Sequence, residues 1–346
     1  MWASKSLGAD FSARFGGGIC NAAAGILDEI LTEGSALRSE NFKFISEAII
    51  ATARIESPPA RTLNFWLGDA LLSPEMRAVL MRNPRSAVMY ALPVTFLHDL
   101  PPRGARLLAM FDAVYGAGAA RALHHPQYRN LELEYVASRA GGVRFFHDPF
   151  DGIAASLPWM DRDQIYSLTH VHFYNSDFGV RQVSYHSPAL GILEALIARM
   201  AFGGDVDVLL ELLICYASTS GASADRLAFH DQLCLNAIET LCGEDGAMPP
   251  PAVFREHYHP IFVASLYLSV RGKAFAPGGT PAIERRHASL GALLGRVQHC
   301  DLLMFLSDYA LHCRDHGVEE AIEPSLALQA AMVAVAIEDR EAVLAG

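Results

Sequence analysis

The sequence predicts an all-α protein, and three observations carry that reading. Apolar residues recur at three- and four-residue spacing through most of the 346 positions, the signature of helices with one buried face. Period-two alternation bounded by turn residues is almost absent, which leaves little room for a sheet. Helix punctuation recurs as well. Ser73-Pro74-Glu75-Met76 reads as a cap followed by proline at the first helical position, Asp161 and Ser223 stand where caps belong, and Gly34, Gly116, Gly203, Gly221 and Gly243 fall where helices should stop.

In chain order, the pattern predicts helices at about 18–34, 41–55, 73–82, 85–97, 103–116, 128–138, 161–177, 188–202, 205–218, 223–242, 252–271, 281–296, 297–315 and 320–343. Two stretches break the rhythm. Pro58 to Asp69 carries turn chemistry around a tryptophan, and Val143-Arg-Phe-Phe-His147 reads as a short strand or extended loop. No repeat recurs at periods of about 34 to 47 residues. A closed multi-helical globule, an α/α toroid, is therefore preferred to its alternative, an α-solenoid. The chain reads as one helical domain, 1–346, with a weak subdivision into 1–140 and 141–346 near Arg139-Ala-Gly-Gly142.

Composition narrows the functional classes. At 51% hydrophobic content the chain can bury a large core without disulfide or metal staples. The net charge of −11 is interrupted by no run of basic residues, so nucleic acid and anionic membranes are not expected as partners. Only Lys5, Lys43 and Lys273 are lysines, and the many Ala and Arg residues are those of a GC-rich bacterial genome. The six cysteines form no C-x-x-C pair and read as buried free thiols of a reducing compartment. The first residues lack a secretory h-region, and the most apolar stretch, Ser86 to Leu97, is broken by Pro93. It falls short of the roughly 20 residues a membrane span needs. A cytoplasmic protein is expected.

One segment stands out as chemical: Tyr166-Ser-Leu-Thr-His170-Val-His172-Phe-Tyr174-Asn-Ser-Asp177-Phe-Gly179. On a helix, Tyr166, His170, Tyr174 and Asp177 form a polar stripe. Buried polar groups must find partners, so the stripe is either an internal hydrogen-bond network or the wall of a wet pocket. Gly179 should end the helix with positive φ. Asp177-Phe-Gly179 matches a kinase triplet by letter, but the glycine-rich loop, strand lysine and catalytic-loop motif are missing. Gly116-Ala-Gly118 follows a helical pattern rather than a strand, so it is no dinucleotide fingerprint.

Fourteen histidines give the second signal. His230 and Cys234 stand one helical turn apart. His257 and His259 occur in Glu256-His-Tyr-His-Pro260, where they would diverge on a helix and could converge in an extended segment. Asp301, Phe305, Asp308 and His312 share a stripe, with His316 one turn beyond His312. Such spacings can hold a divalent transition metal, although no H-E-x-x-H motif occurs and any site must assemble from distant helices. His316, beside Gly317, also suits a helix C-terminus. Covalent nucleophilic catalysis lacks its motifs. The acidic pairs Asp161 with Asp163, Asp205 with Asp207, and Glu319 with Glu320 sit at helix starts, where they complement the dipole.

The Leu168 to Gly179 segment, with Glu256-His-Tyr-His-Pro260 downstream, resembles an uncharacterised all-helical bacterial domain family of unknown function. Its members carry a Leu-Thr-His-x-x-Phe-Tyr-x-x-Asp-Phe-Gly segment and are associated with specialised metabolism. The resemblance covers about residues 155 to 345 and transfers no catalytic residue. Two readings follow. The first is an enzyme of small-molecule or peptide natural-product biosynthesis, with His170, Tyr174 and Asp177 as catalytic groups and His170, His230, His257, His259 and His312 as candidate metal ligands. Imidazoles would bind metal or exchange protons, and Asp177 would orient a histidine. The second is a non-catalytic helical module that binds a protein or ligand in a surface groove.

Overall fold

The computed structural model describes residues 9–32, 39–55, 57–71, 87–97, 131–136, 138, 146–153, 157–243 and 247–274. The all-α class holds. Among the described residues nine helices are placed: α1 (Ala9–Thr32), α2 (Ser39–Thr52), α3 (Pro58–Leu71), α4 (Ala87–Val94), α5 (Arg162–Ser176), α6 (Ala189–Gly203), α7 (Val206–Ala217), α8 (Ala224–Cys242) and α9 (Pro251–Ala274). Residues 131–136 are also helical, and a single 3-10 turn spans Leu157–Trp159. Among the described residues there is no strand, only an isolated parallel bridge between Val183 and Thr219.

The sequence misread α3. Pro58 and Pro59 look like turn residues, yet in the first helical turn a missing N–H costs nothing and a fixed φ helps. Ser57 starts that turn, its Oγ accepting from the Ala60 N–H at 3.3 Å. Ala60, Leu63, Asn64, Leu67, Gly68 and Leu71 then form one buried face. Of the remaining expectations, Phe146 and His147 are irregular rather than strand. The helices expected at 73–82, 103–116, 281–296, 297–315 and 320–343 lie outside the described residues.

The chain divides into two compact units. The sequence suggested one domain with a weak break near 139–142; the division falls between His147 and Asp148, and Cys234–Ala274 returns to the N-terminal unit. In that unit α2 packs on α3, α4 and α9, and α1 packs on α2, α3 and α9. Asn64 ties α3 to α2: its Nδ2 donates to the Ile49 carbonyl at 3.1 Å and to Thr52 Oγ1 at 3.2 Å.

The other unit, Asp148–Leu233, contains α5, α6, α7 and the start of α8. Its centre is α7, where every residue from Val208 to Ala217 is buried. A helix buried on all sides is a core helix, and α5 and α6 both pack against it. Asp205 caps α7, accepting from the Val208 N–H at 3.2 Å, and shares Arg162 with Asp207 at 2.7 and 3.0 Å. Ser223 likewise accepts from the Arg226 N–H at 3.2 Å to start α8. Gly204, Gly221 and Gly243 take positive φ beyond their helices.

Candidate functional site

The segment that the sequence singles out is α5. Its start is a capping box: Asp161 Oδ1 accepts from the Gln164 N–H at 2.8 Å and Gln164 Oε1 accepts from the Asp161 N–H at 2.9 Å. Its end comes sooner than Gly179. The helix stops at Ser176, and Asp177, Phe178 and Gly179 all adopt positive φ (53°, 53° and 81°). Left-handed backbone costs a non-glycine residue about 1–2 kcal/mol. The cost is offset locally: the Phe178 N–H donates to the Phe173 carbonyl at 2.7 Å, the Gly179 N–H donates to Ser176 Oγ at 3.0 Å, and Phe178 stacks on Phe173. Asp177 is thus the left-handed cap of α5.

His170 and Tyr174 do come together, ring edge to face with centroids 6.3 Å apart. His170 Nδ1 lies 2.9 Å from the Tyr166 carbonyl, which can only accept, so that nitrogen carries the hydrogen. Glu211 of α7 approaches the same nitrogen at 3.8 Å and also accepts from Thr169 Oγ1. His230, on α8, is fully buried and stands edge-on to Tyr216 at 4.4 Å. His257 and His259 belong to the other unit, on α9, which stays helical through Pro260; spaced i, i+2 on a helix, they diverge. His259 Nδ1 lies 2.7 Å from Glu47 Oε2. His170 beside Glu211 and His259 beside Glu47 are imidazole–carboxylate pairs of the kind that orient metal ligands. Asp308 and His312 lie outside the described residues.

His172 of α5 is fully buried. Ser218 Oγ donates to the Ile214 carbonyl at 2.7 Å, so it accepts from His172 Nε2–H at 2.8 Å. Nδ1 is then the acceptor of the neutral ring and receives the Tyr185 hydroxyl at 2.8 Å, whose oxygen accepts from Asn175 Nδ2 at 3.0 Å. One direction of hydrogen runs from Asn175 to Ile214. Burial pushes the His172 pKa down to about 3 and pushes those of Tyr185 and Cys215 up. The ring stays neutral, and the phenol and thiol stay protonated, at ordinary pH. This closed network is structural in its chemistry, and one member, Tyr185, reaches a cavity.

That cavity, about 290 Å³, opens between the α5–α6 connection, the N-terminus of α6 and the α7–α8 turn. Its frame is the Val183–Thr219 bridge, in which the Val183 N–H donates to the Ser218 carbonyl at 2.9 Å and the Ser220 N–H to the Val183 carbonyl at 2.8 Å. Besides Tyr185, three ionisable groups from three different helices line it: Glu194 of α6, Tyr216 of α7 and Arg226 of α8. Their residues are only 3%, 2% and 3% exposed. Tyr216 donates to Glu194 Oε1 at 2.8 Å, and Arg226 Nε lies 3.4 Å from the same oxygen. Burial first, then the Glu194 charge, raises the Tyr216 pKa and keeps the phenol protonated. Tyr185, Ser187, Thr219, Ser220 and Ser223 add oxygens to the wall. No side chain caps α6, which begins after Pro188.

None of His170, Tyr174, Asp177 and His230 is among the residues that line the cavity. The sequence reading missed Glu194, Tyr216 and Arg226, although one signal was available. Glu194 interrupts the apolar run Ile192-Leu193-Glu194-Ala195-Leu196, as Glu211 interrupts Leu209-Leu210-Glu211-Leu212-Leu213. A carboxylate on a helix buried all round must be paired, which marks it as a group with a purpose.

No curated protein and no solved structure matches the chain. A family model matches residues 48–269, reaching further towards the N-terminus than the expected 155–345 and stopping well before its end. The match covers more than half of the sequence and includes α5 and every group that lines the cavity, and the chain therefore belongs to the family described as a domain of unknown function, DUF6895.

Proposed function

We propose that this protein binds a small polar metabolite in the cavity walled by Glu194, Tyr216 and Arg226, and serves bacterial small-molecule or peptide natural-product biosynthesis. One observation carries the reading: a nearly fully buried ion pair forms part of a cavity wall. Burying two charges costs several kcal/mol per ion, and apolar residues of similar volume would often stabilise the fold as well or better. Such a pair gives little for stability, but beside an opening it gives fixed, pre-oriented charge for a ligand. The buried cysteines Cys20, Cys215, Cys234 and Cys242 form no disulfide, which supports a cytoplasmic setting. No helix among the described residues is long and apolar enough to cross a membrane.

The test is thermal denaturation of the full chain with panels of amino acids, sugars, nucleosides and small organic acids, run beside Ser220→Trp. Ser220 is an exposed lining residue, so the indole fills the opening without entering the core. A ligand that raises the melting temperature of the parent protein and not of Ser220→Trp is the expected result. No ligand with that dependence refutes the site.

Catalysis at the same place is the second reading, favoured by the Glu194–Tyr216 contact, which sets a proton acceptor and a protonated phenol side by side at the cavity. Mass spectrometry of the bound compound after incubation decides it. Conversion that Glu194→Gln abolishes while binding persists identifies an enzyme; binding without conversion identifies a binding module.

A further inference from the structure

We infer that the cavity takes a neutral polyhydroxylated molecule of monosaccharide size. This rests on the cavity being the ligand site. The first argument is charge. Glu194 and Arg226, the two charged residues of the wall, are nearly fully buried and hold each other at 3.4 Å, and Tyr216 donates to the same carboxylate oxygen. The charges of the wall are thus answered within the protein, and they sum to zero. A ligand with a net charge would leave water for a wall whose charges already face each other, which costs far more than moving a hydroxyl.

The second argument is a hydrogen count. Seven residues of the wall carry hydroxyls, and each hydroxyl has one hydrogen to give and lone pairs to receive. Two are closed within the protein: Tyr216 gives to Glu194 and is met by the Ser223 backbone, and Tyr185 gives to His172 and receives from Asn175. Two are left as acceptors, because Thr219 gives its hydrogen to the Cys215 carbonyl at 2.8 Å and Ser187 gives its own to Asp148 at 2.9 Å. Ser223 is left as a donor, since its Oγ receives the Arg226 N–H at 3.2 Å. Ser184 and Ser220 are exposed, make no side-chain hydrogen bond among the described residues, and can do either. A carboxylate brings acceptors only and an ammonium brings donors only, so each would leave part of this wall unmet. Sugar hydroxyls both give and receive, and the wall asks for both. Pro188 and Leu190 add an apolar side, which suits the C–H face of a cyclic polyol. The volume of about 290 Å³ lies at the lower end of ligand pockets, which run about 300–1,000 Å³, and suits a single sugar ring.

Calorimetric titration of the full chain with neutral hexoses, pentoses and cyclitols, each beside a carboxylate and an amine of the same skeleton, tests this. At least one neutral compound should bind, and its two charged forms should bind about tenfold to a hundredfold more weakly. Ser184→Ala combined with Ser220→Ala should weaken the binding about fivefold to a hundredfold, as two lost hydrogen bonds do. Ser220→Trp should abolish it while keeping the parent's circular dichroism. Charged forms that bind as tightly as the neutral one overturn the inference, as does binding that the two alanines leave unchanged or that Ser220→Trp leaves intact. If only amino acids, nucleosides or organic acids bind in a Ser220→Trp-sensitive way, the polyol is refuted and the ligand site stands. If nothing in either panel binds in that way, both fall.

Discussion

Acidification should weaken the α5–α7 unit through one imidazole. His172 is fully buried, its ring neutral, with Nδ1 occupied by the Tyr185 hydroxyl and Nε2 by Ser218. Burial lowers its pKa from 6.5 to about 3. The unfolded chain therefore binds a proton that the folded chain refuses throughout this interval. Stability from the neutral ring is fully present above pH 6.5 and is lost progressively as pH falls towards 3. At about 1.4 kcal/mol per pH unit, about 3 kcal/mol is lost by pH 4.5 and about 5 kcal/mol at the limit. Urea denaturation between pH 7 and pH 4.5 measures it against His172→Gln, whose amide can accept from Tyr185 and donate to Ser218 without titrating. The parent should lose about 2–3 kcal/mol more than the variant over this range, because every carboxylate titrates in both. Equal pH slopes would refute the reasoning.

Other groups give separate tests. Asn64→Leu removes the two bonds that join α3 to α2 and leaves the Ile49 carbonyl without that donor, so urea denaturation should show a loss of about 1–3 kcal/mol. Asp161→Ala breaks the capping box of α5 and should cost about 1 kcal/mol, whereas Asp161→Ser should stay close to the parent. At the left-handed cap, Asp177→Val should lose about 1–2 kcal/mol while Asp177→Asn loses little, since asparagine tolerates φ near 53°; equal losses would refute the cap assignment. Arg162→Ala should cost no more than about 1 kcal/mol, because its bonds to Asp205 and Asp207 are made by a half-exposed side chain.

Local signals were legible, and tertiary ones were not. Asp161 followed three residues later by Gln164, and Ser223 before α8, announce helix starts because a cap is a property of four adjacent residues. Pro58-Pro59 has two local meanings, turn and first helical turn, and the buried face from Ala60 to Leu71 settles it. The polar stripe of α5 orders its histidines differently from their burial, for a different reason. A helical wheel ranks residues by face, which decides burial only when one face meets water. From Val171 to Ser176 every residue of α5 is buried, so His172 sits deeper than His170 although the wheel favours His170.

The cavity illustrates the same limit. Glu194 and Tyr216 lie 22 residues apart on different helices and meet at 2.8 Å, while Arg226 arrives from a third helix. No spacing rule connects them, since their meeting depends on how α6, α7 and α8 pack. What the sequence does hold is the cost. A glutamate in the middle of Ile-Leu-Glu-Ala-Leu cannot stay buried and charged without a partner, so the run itself announces a cation or a donor elsewhere in the chain. The same logic applies to Glu211 in Leu-Leu-Glu-Leu-Leu, whose carboxylate receives Thr169 and stands beside His170. Carboxylates embedded in apolar helices were therefore the better sequence index of this unit's polar centres than clusters of histidine. A buried histidine can give up its charge and be met by neutral hydroxyls, as His172 is by Tyr185 and Ser218, whereas a buried charged carboxylate requires a donor or a cation beside it.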